Sequence, residues 1–134
     1  MPAMKIATPD DDAVLANLTV LVLEDEMMVA MLLEEMLADL GCNVVGPAAT
    51  VASALALVDE RAIDVALLDV NLSDGQSGYK VAEALSARRI PFAFVTGYGV
   101  GTLNPDYRNR PTLQKPFHLS ALTDALVRMA ANKV

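Results

Sequence analysis

The sequence predicts an α/β domain: a doubly wound sheet of five parallel strands with helices on both faces. Three observations carry that expectation. From Leu18 onward, short apolar runs of strand length alternate with segments whose apolar residues recur at helical spacing. The runs are apolar on both faces, as buried parallel strands are. Four of the five runs end in a polar or ionisable residue, so chemistry should collect at one edge of the sheet.

Residues 1–17 are polar and acidic, with Pro2, Pro9 and the run Asp10-Asp11-Asp12, and read as a flexible tail. Within them, Ala13 to Ala16 could add a short helical turn. Residues 18–134 form the domain. Leu18 to Leu23 (LTVLVL) is the first strand. A helix follows in which Val29, Leu32, Leu33, Met36, Leu37 and Leu40 share the helical period, with Gly41 placed to cap it. Met27, Met28, Met31 and Met36 read as core filler rather than a partner groove. Asn43 to Val45 is a second strand, ended by Gly46-Pro47. Thr50 can cap a helix with Val51, Ala54, Leu55 and Val58 inward.

Val65 to Val70 (VALLDV) is the third strand, and Ser73-Asp74-Gly75 a turn. Ser77 to Arg89 is a helix with Val81, Ala82 and Leu85 inward. Pro91 opens the fourth strand, Phe92 to Thr96. The segment from Gly97 to Pro111 holds three Gly and two Pro, so a fourth helix there must be short or irregular. Thr112 to Lys115 is the fifth strand, and Leu119, Leu122, Leu126 and Met129 mark the last helix.

Composition sets the outer bounds. A chain of 134 residues suits one domain with a real core, and 54% hydrophobic residues argue against disorder. The apolar runs are too short to span a bilayer, and the N-terminus has no basic stretch followed by an apolar one, so neither membrane nor signal peptide is expected. Cys42 stands alone and reads as a small buried hydrophobe, which suits a reducing, cytoplasmic setting. A net charge of −7 disfavours nucleic acid as a partner.

The strand ends carry Glu24-Asp25-Glu26, Asp69, Thr96 and Lys115. Carboxylates gathered at one edge repel one another unless a cation sits among them, and a hard divalent ion such as Mg²⁺ suits an all-oxygen set. With that charge neutralised, Asp69 can act as nucleophile toward a phosphoryl group. Lys115 and the Thr96 hydroxyl can then hold phosphoryl oxygens.

The runs LVLEDE, VALLDVNL, FVTGYG and LQKPF, in that order and at that spacing, resemble response-regulator receiver domains of two-component signalling over residues 18 to about 132. The resemblance implies a flavodoxin-like strand order 2-1-3-4-5. It implies Asp69 as phosphoacceptor and a Mg²⁺ site of Asp25, Asp69, the backbone carbonyl of Asn71 and, through water, Glu24. Thr96 and Lys115 are implied as the phosphoryl-binding pair, with Pro116 a candidate for a cis peptide bond. The stretch PFAFVTGY, residues 91–98, is similar to the PFxFATGY signature of mostly stand-alone receivers in alphaproteobacteria, with Val95 in place of the usual Ala. The implied partners are a sensor histidine kinase or histidine phosphotransferase and a downstream protein target, since no output domain is predicted. Where such receivers usually carry a switching Tyr or Phe, three residues before the Lys, this chain has Thr112. Tyr98 is the expected substitute, on a glycine-flanked loop attached to Thr96.

A Mg²⁺-dependent phosphatase of the haloacid dehalogenase type is the rival class. There the nucleophile comes first in the chain and a second acid follows two residues later; here an acidic pair comes first, and that second position is Asn71. The only histidine, His118, reads as a surface or capping residue. Arg88 and Arg89 read as cations closing a helix.

Overall fold

A computed structural model describes residues 13–97, 103–107 and 109–131. Its elements are β1 (Thr19–Leu23), α1 (Met27–Asp39), β2 (Asn43–Ala48), α2 (Val51–Glu60), β3 (Val65–Asp69), α3 (Tyr79–Ala87), β4 (Phe92–Thr96), a 3₁₀ turn (Pro105–Tyr107), β5 (Thr112–Gln114) and α4 (Leu119–Ala131). The five strands are all parallel, in the order β2-β1-β3-β4-β5. This is the doubly wound, flavodoxin-like sheet that the sequence predicts. Between Gly97 and Pro111, the described residues hold only the 3₁₀ turn, as the Gly and Pro content demands.

Alternation along the strands divides the core in two. Leu21, Leu23, Ala66, Leu68, Phe92 and Phe94 face α2 and α3. Val20, Val22, Val65, Leu67, Ala93 and Val95 face α1 and α4. Each of these side chains is at most 1% exposed, which is why the strands read as unbroken apolar runs. The helix starts are equally legible. Thr50 accepts from the Ser53 N–H at 3.1 Å while Ser53 Oγ accepts from the Thr50 N–H at 3.3 Å, a reciprocal cap.

Four expectations need correction. Leu15 is fully buried in the α1/α4 core, the Leu18 N–H bonds its carbonyl, and the Asn17 N–H bonds the Gly41 carbonyl, so residues 13–17 belong to the folded body rather than to a loose tail. The second strand does not stop at Gly46-Pro47 but runs through them to Ala48, with a register shift between Leu21 and Leu23 on β1. Three of the four methionines are not core filler: Met27, Met28 and Met31 are 76%, 84% and 54% exposed, and Leu32 is 44% exposed, whereas Met36 is half-buried and packs against the core as expected. Helix α1 buries Ala30, Leu33 and Leu37, one face at the 3.6-residue period, which turns positions 28, 31 and 32 to solvent. At the start of α4, Leu119 is likewise exposed, while Leu122, Leu126 and Met129 are buried.

Candidate functional site

In this strand order the chain leaves β1 toward β2 and returns across it to β3, so strand order reverses between β1 and β3. A crevice opens at the carboxyl ends of strands at such a point. The register pairs Leu23 with Leu68, which brings Glu24 and Asp69, the next residues on each strand, side by side. Asp69 in turn pairs with Val95, and Thr96 with Gln114, the residue before Lys115. Parallel pairing alone therefore delivers Glu24, Asp69, Thr96 and Lys115 to one rim.

Glu24, Asp69 and Thr96 are buried, at 2%, 3% and 1% exposure. Oxygens of Glu24, Asp25 and Asp69 lie within 4.8 Å of one another. The Lys115 ammonium reaches in to 2.8 Å from Glu24 Oε1, 3.6 Å from Asp69 Oδ2 and 3.2 Å from Glu26 Oε1. Backbone donors hold the other oxygens: the Asn71 N–H donates to Asp69 Oδ1, the Ser73 N–H to Asp25 Oδ2, and the Glu26 N–H to Glu24 Oε2. The Lys115 N–H donates to the Thr96 carbonyl, fastening the ends of β4 and β5 together. Both the Gly46-Pro47 and Lys115-Pro116 peptide bonds are cis.

The electrostatics follow from this packing. Burial and the adjacent Glu24 carboxylate push the Asp69 carboxyl up to about 7, against the opposing pull of Lys115 and the Asn71 N–H. For Asp25, burial pushes up, but hydrogen bonds from Ser73 outweigh it and its pKa falls below the ordinary value. Burial disfavours the Lys115 ammonium, yet Glu24 and Asp69 outweigh that and raise its pKa. Glu24 Oε1 and Asp69 Oδ2 are buried with no hydrogen bond. Lys115 meets the first as an ion pair at 2.8 Å, off the directions a hydrogen bond needs. Two buried, incompletely satisfied carboxylate oxygens beside a third carboxylate form a donor set suited to a hard divalent cation.

Three contributors take their place only through the fold. Glu26 shares the Lys115 ammonium, and only the fold brings it there. Gly78 caps α3 with its N–H on the Val70 carbonyl, and a Cβ there would lie 2.3 Å from the Asp69 carbonyl oxygen. That contact is with backbone, so nothing flexible can yield. Gly78→Ala is therefore expected to cost about 3 kcal/mol, read by denaturant melts, and to displace Asp69. The third is an aromatic cluster: Tyr107 stacks on Tyr79 at 5.6 Å and meets the edges of Phe94 and Phe92. The Tyr79 hydroxyl accepts from the Asn104 N–H at 2.8 Å. It ties the segment after β4 to α3. Tyr98, the expected switch residue, lies outside the described residues.

This sheet carries an acidic triad beside a lysine at the switch point, an arrangement consistent with a phosphoacceptor site. The chain belongs to the response regulator receiver domain family, whose model matches residues 20–127. Such domains are signalling modules rather than catalysts, which removes the phosphatase alternative; they bind Mg²⁺ and work with a kinase or phosphotransfer partner.

Among similar structures, the solution structure of SdrG from Sphingomonas melonis is 43% identical with a TM-score of 0.71, over 88% of this chain and 96% of that one. The receiver domain of PhyR from Erythrobacter litoralis is 30% identical with a TM-score of 0.78, over 88% and 93%. The phyllosphere-induced regulator PhyR of Methylorubrum extorquens is 37% identical over 81 residues, 59% of this chain, which spans 30% of that longer protein. No helix among the described residues is long and apolar enough to cross a membrane.

Proposed function

We propose that this chain accepts a phosphoryl group on Asp69 from a histidine kinase or histidine phosphotransfer protein and signals by binding a protein target in the phosphorylated state. One observation carries the reading: Asp69 is buried between Glu24 and the Lys115 ammonium, with one oxygen held by the Asn71 N–H and the other free of hydrogen bonds. That second oxygen is the one available to attack phosphorus.

Asp25, Asp69 and the Asn71 carbonyl would hold Mg²⁺, with Glu24 acting through water. When bound, Mg²⁺ supplies positive charge against the carboxylates and the incoming phosphoryl oxygens. The chain's own residues do the positioning. Lys115 is already charged and placed to follow a phosphoryl oxygen, and the Thr96 hydroxyl stands at the end of the adjacent strand. Asp69 takes the phosphoryl group as the donor's phosphorus–nitrogen or phosphorus–oxygen bond breaks, and the barrier is lowered by placement and charge. Incubation with a small acyl-phosphate donor and Mg²⁺ should add one phosphoryl group by intact mass, and no gain would overturn the reading.

Tyr98 is the proposed reporter of the event. Strand β5 offers only the half-buried Thr112 where an aromatic would swing. Tyr107, the other tyrosine of the segment, is committed to its stack on Tyr79. Movement of Thr96 toward the phosphoryl group would be felt first through Gly97 and Tyr98, and differential contact with the two states is what biases such an equilibrium. Amide exchange over residues 97–110 should slow on phosphorylation in the wild type and slow less in Tyr98→Ala, while labelling of Asp69 persists. Unchanged wild-type exchange would move the switch to α4.

A further inference from the structure

At the opposite end of the sheet, beside the amino-terminal ends of β4 and β5, lies a polar cavity of about 500 Å³ with arginines on three sides. Arg89 enters from the end of α3, Arg110 from the residue before Pro111, and Arg128 from α4. In a chain of net charge −7, three of the ten basic residues converge on this one hollow. Among the described residues, Asp106 is the one acid in its wall, and no ion pair joins it to any of the three. The neighbouring Arg88 is different, being paired with Asp59 and donating to the Val58 carbonyl.

Two of the three arginines are held in unusual ways. The Arg110 guanidinium lies 4.5 Å over the ring of the fully buried Phe92, which fixes its plane before any ligand arrives. Arg89 ends α3 with φ at 59°, the left-handed conformation usually left to glycine or asparagine. The turn is hydrogen-bonded as a helix C-terminus, with the Arg89 N–H on the Ser86 carbonyl and the Ile90 N–H on the Leu85 carbonyl, and it delivers the Arg89 side chain to the wall of the cavity.

We infer that this hollow is a second anion site, distinct from the phosphoryl site, and that it takes a small soluble polyphosphate. Three planar guanidiniums offer paired donors that match phosphoryl oxygens. They also supply more positive charge than a single carboxylate can use. The volume falls within the ordinary range for small-molecule sites, about 300–1,000 Å³, and the concave wall favours a compact ligand over a flat partner surface. Asn109, also in the wall, adds a neutral hydrogen-bonding group. The 3₁₀ turn that supplies Asp106 also carries Tyr107 into the aromatic cluster under β4, so an occupant here would touch the segment that follows Thr96.

The test is a two-dimensional amide NMR titration of the full chain in metal-free buffer with inorganic pyrophosphate, and in parallel with citrate. Pyrophosphate should give saturable shifts over residues 86–92, 106–111 and 128–129, with half-saturation below about 1 mM, and citrate should bind at least tenfold more weakly. Arg128→Gln and Arg89→Gly should each weaken pyrophosphate by about tenfold or more. Arg89→Gly suits the backbone better than arginine, so its melting temperature should hold or rise while binding falls; Arg61→Gln, away from the cavity, should change nothing. Shifts confined to residues 24–26, 69–73 and 115, equal binding of citrate, or no saturation up to about 10 mM would each overturn the proposal.

Discussion

Asp69→Asn is expected to take up no phosphoryl group from an acyl-phosphate donor under conditions where the wild type takes up one, and the loss should be complete rather than graded. The reason is the isolation of this oxygen. Asp69 is buried, its Oδ2 has no hydrogen bond, and among the described residues no Ser, Thr or Cys other than Thr96 ends a strand beside it. Asparagine keeps the size and the Asn71 contact but removes the nucleophilic charge. The neighbouring residues should behave differently. Lys115→Gln keeps the nucleophile and removes one charge stabiliser, so labelling should slow on the order of a hundredfold while reaching the same end point. Equal labelling of Asp69→Asn by intact mass would remove Asp69 from the role.

The fold was legible because its signals are local and redundant. The three central strands, β1, β3 and β4, are buried on both sides, and the Thr50 cap and the Gly41 stop are written in single residues. Strand edges carried the site for the same reason, because parallel pairing sends every strand's last residue to one rim. What could not be read was phase and reach. The apolar content of α1 surrounds the helix, so its buried face could be chosen only by the neighbours it meets, and Met28 and Leu32 fell on the wrong side. Gly78 matters through an atom nine residues earlier in the chain, and Glu26 through an ammonium 89 residues later. Leu15 looked like part of a tail because one leucine beside an acidic run carries no periodicity.

The second large effect is on stability, and its sign follows from the raised Asp69 pKa. In the unfolded chain this carboxyl titrates near its ordinary value of 3.8, whereas in the metal-free folded protein it is pushed up to about 7. Between those values the folded state retains a proton that the unfolded state has released, so stability falls as pH rises through this window and stays reduced above it. Asp69→Asn removes the charge and with it the penalty. Metal-free mutant should therefore melt higher than wild type by about 2 kcal/mol at pH 8, or roughly 5–10 °C for a domain of this size, with the difference shrinking toward zero near pH 4. Asp25→Asn should show no such gain, because the Ser73 hydrogen bonds already favour the Asp25 carboxylate and asparagine would weaken them. Mg²⁺ should reverse the order above pH 7, stabilising wild type more than either variant, since both lose a carboxylate from the triad. Calorimetric melts of the three proteins at pH 4 and 8, each with and without about 20 mM Mg²⁺, separate these effects. A pH-independent gain in Asp69→Asn would mean that the benefit comes from packing, and an equal Mg²⁺ shift in all three proteins would mean that the carboxylates do not share a cation.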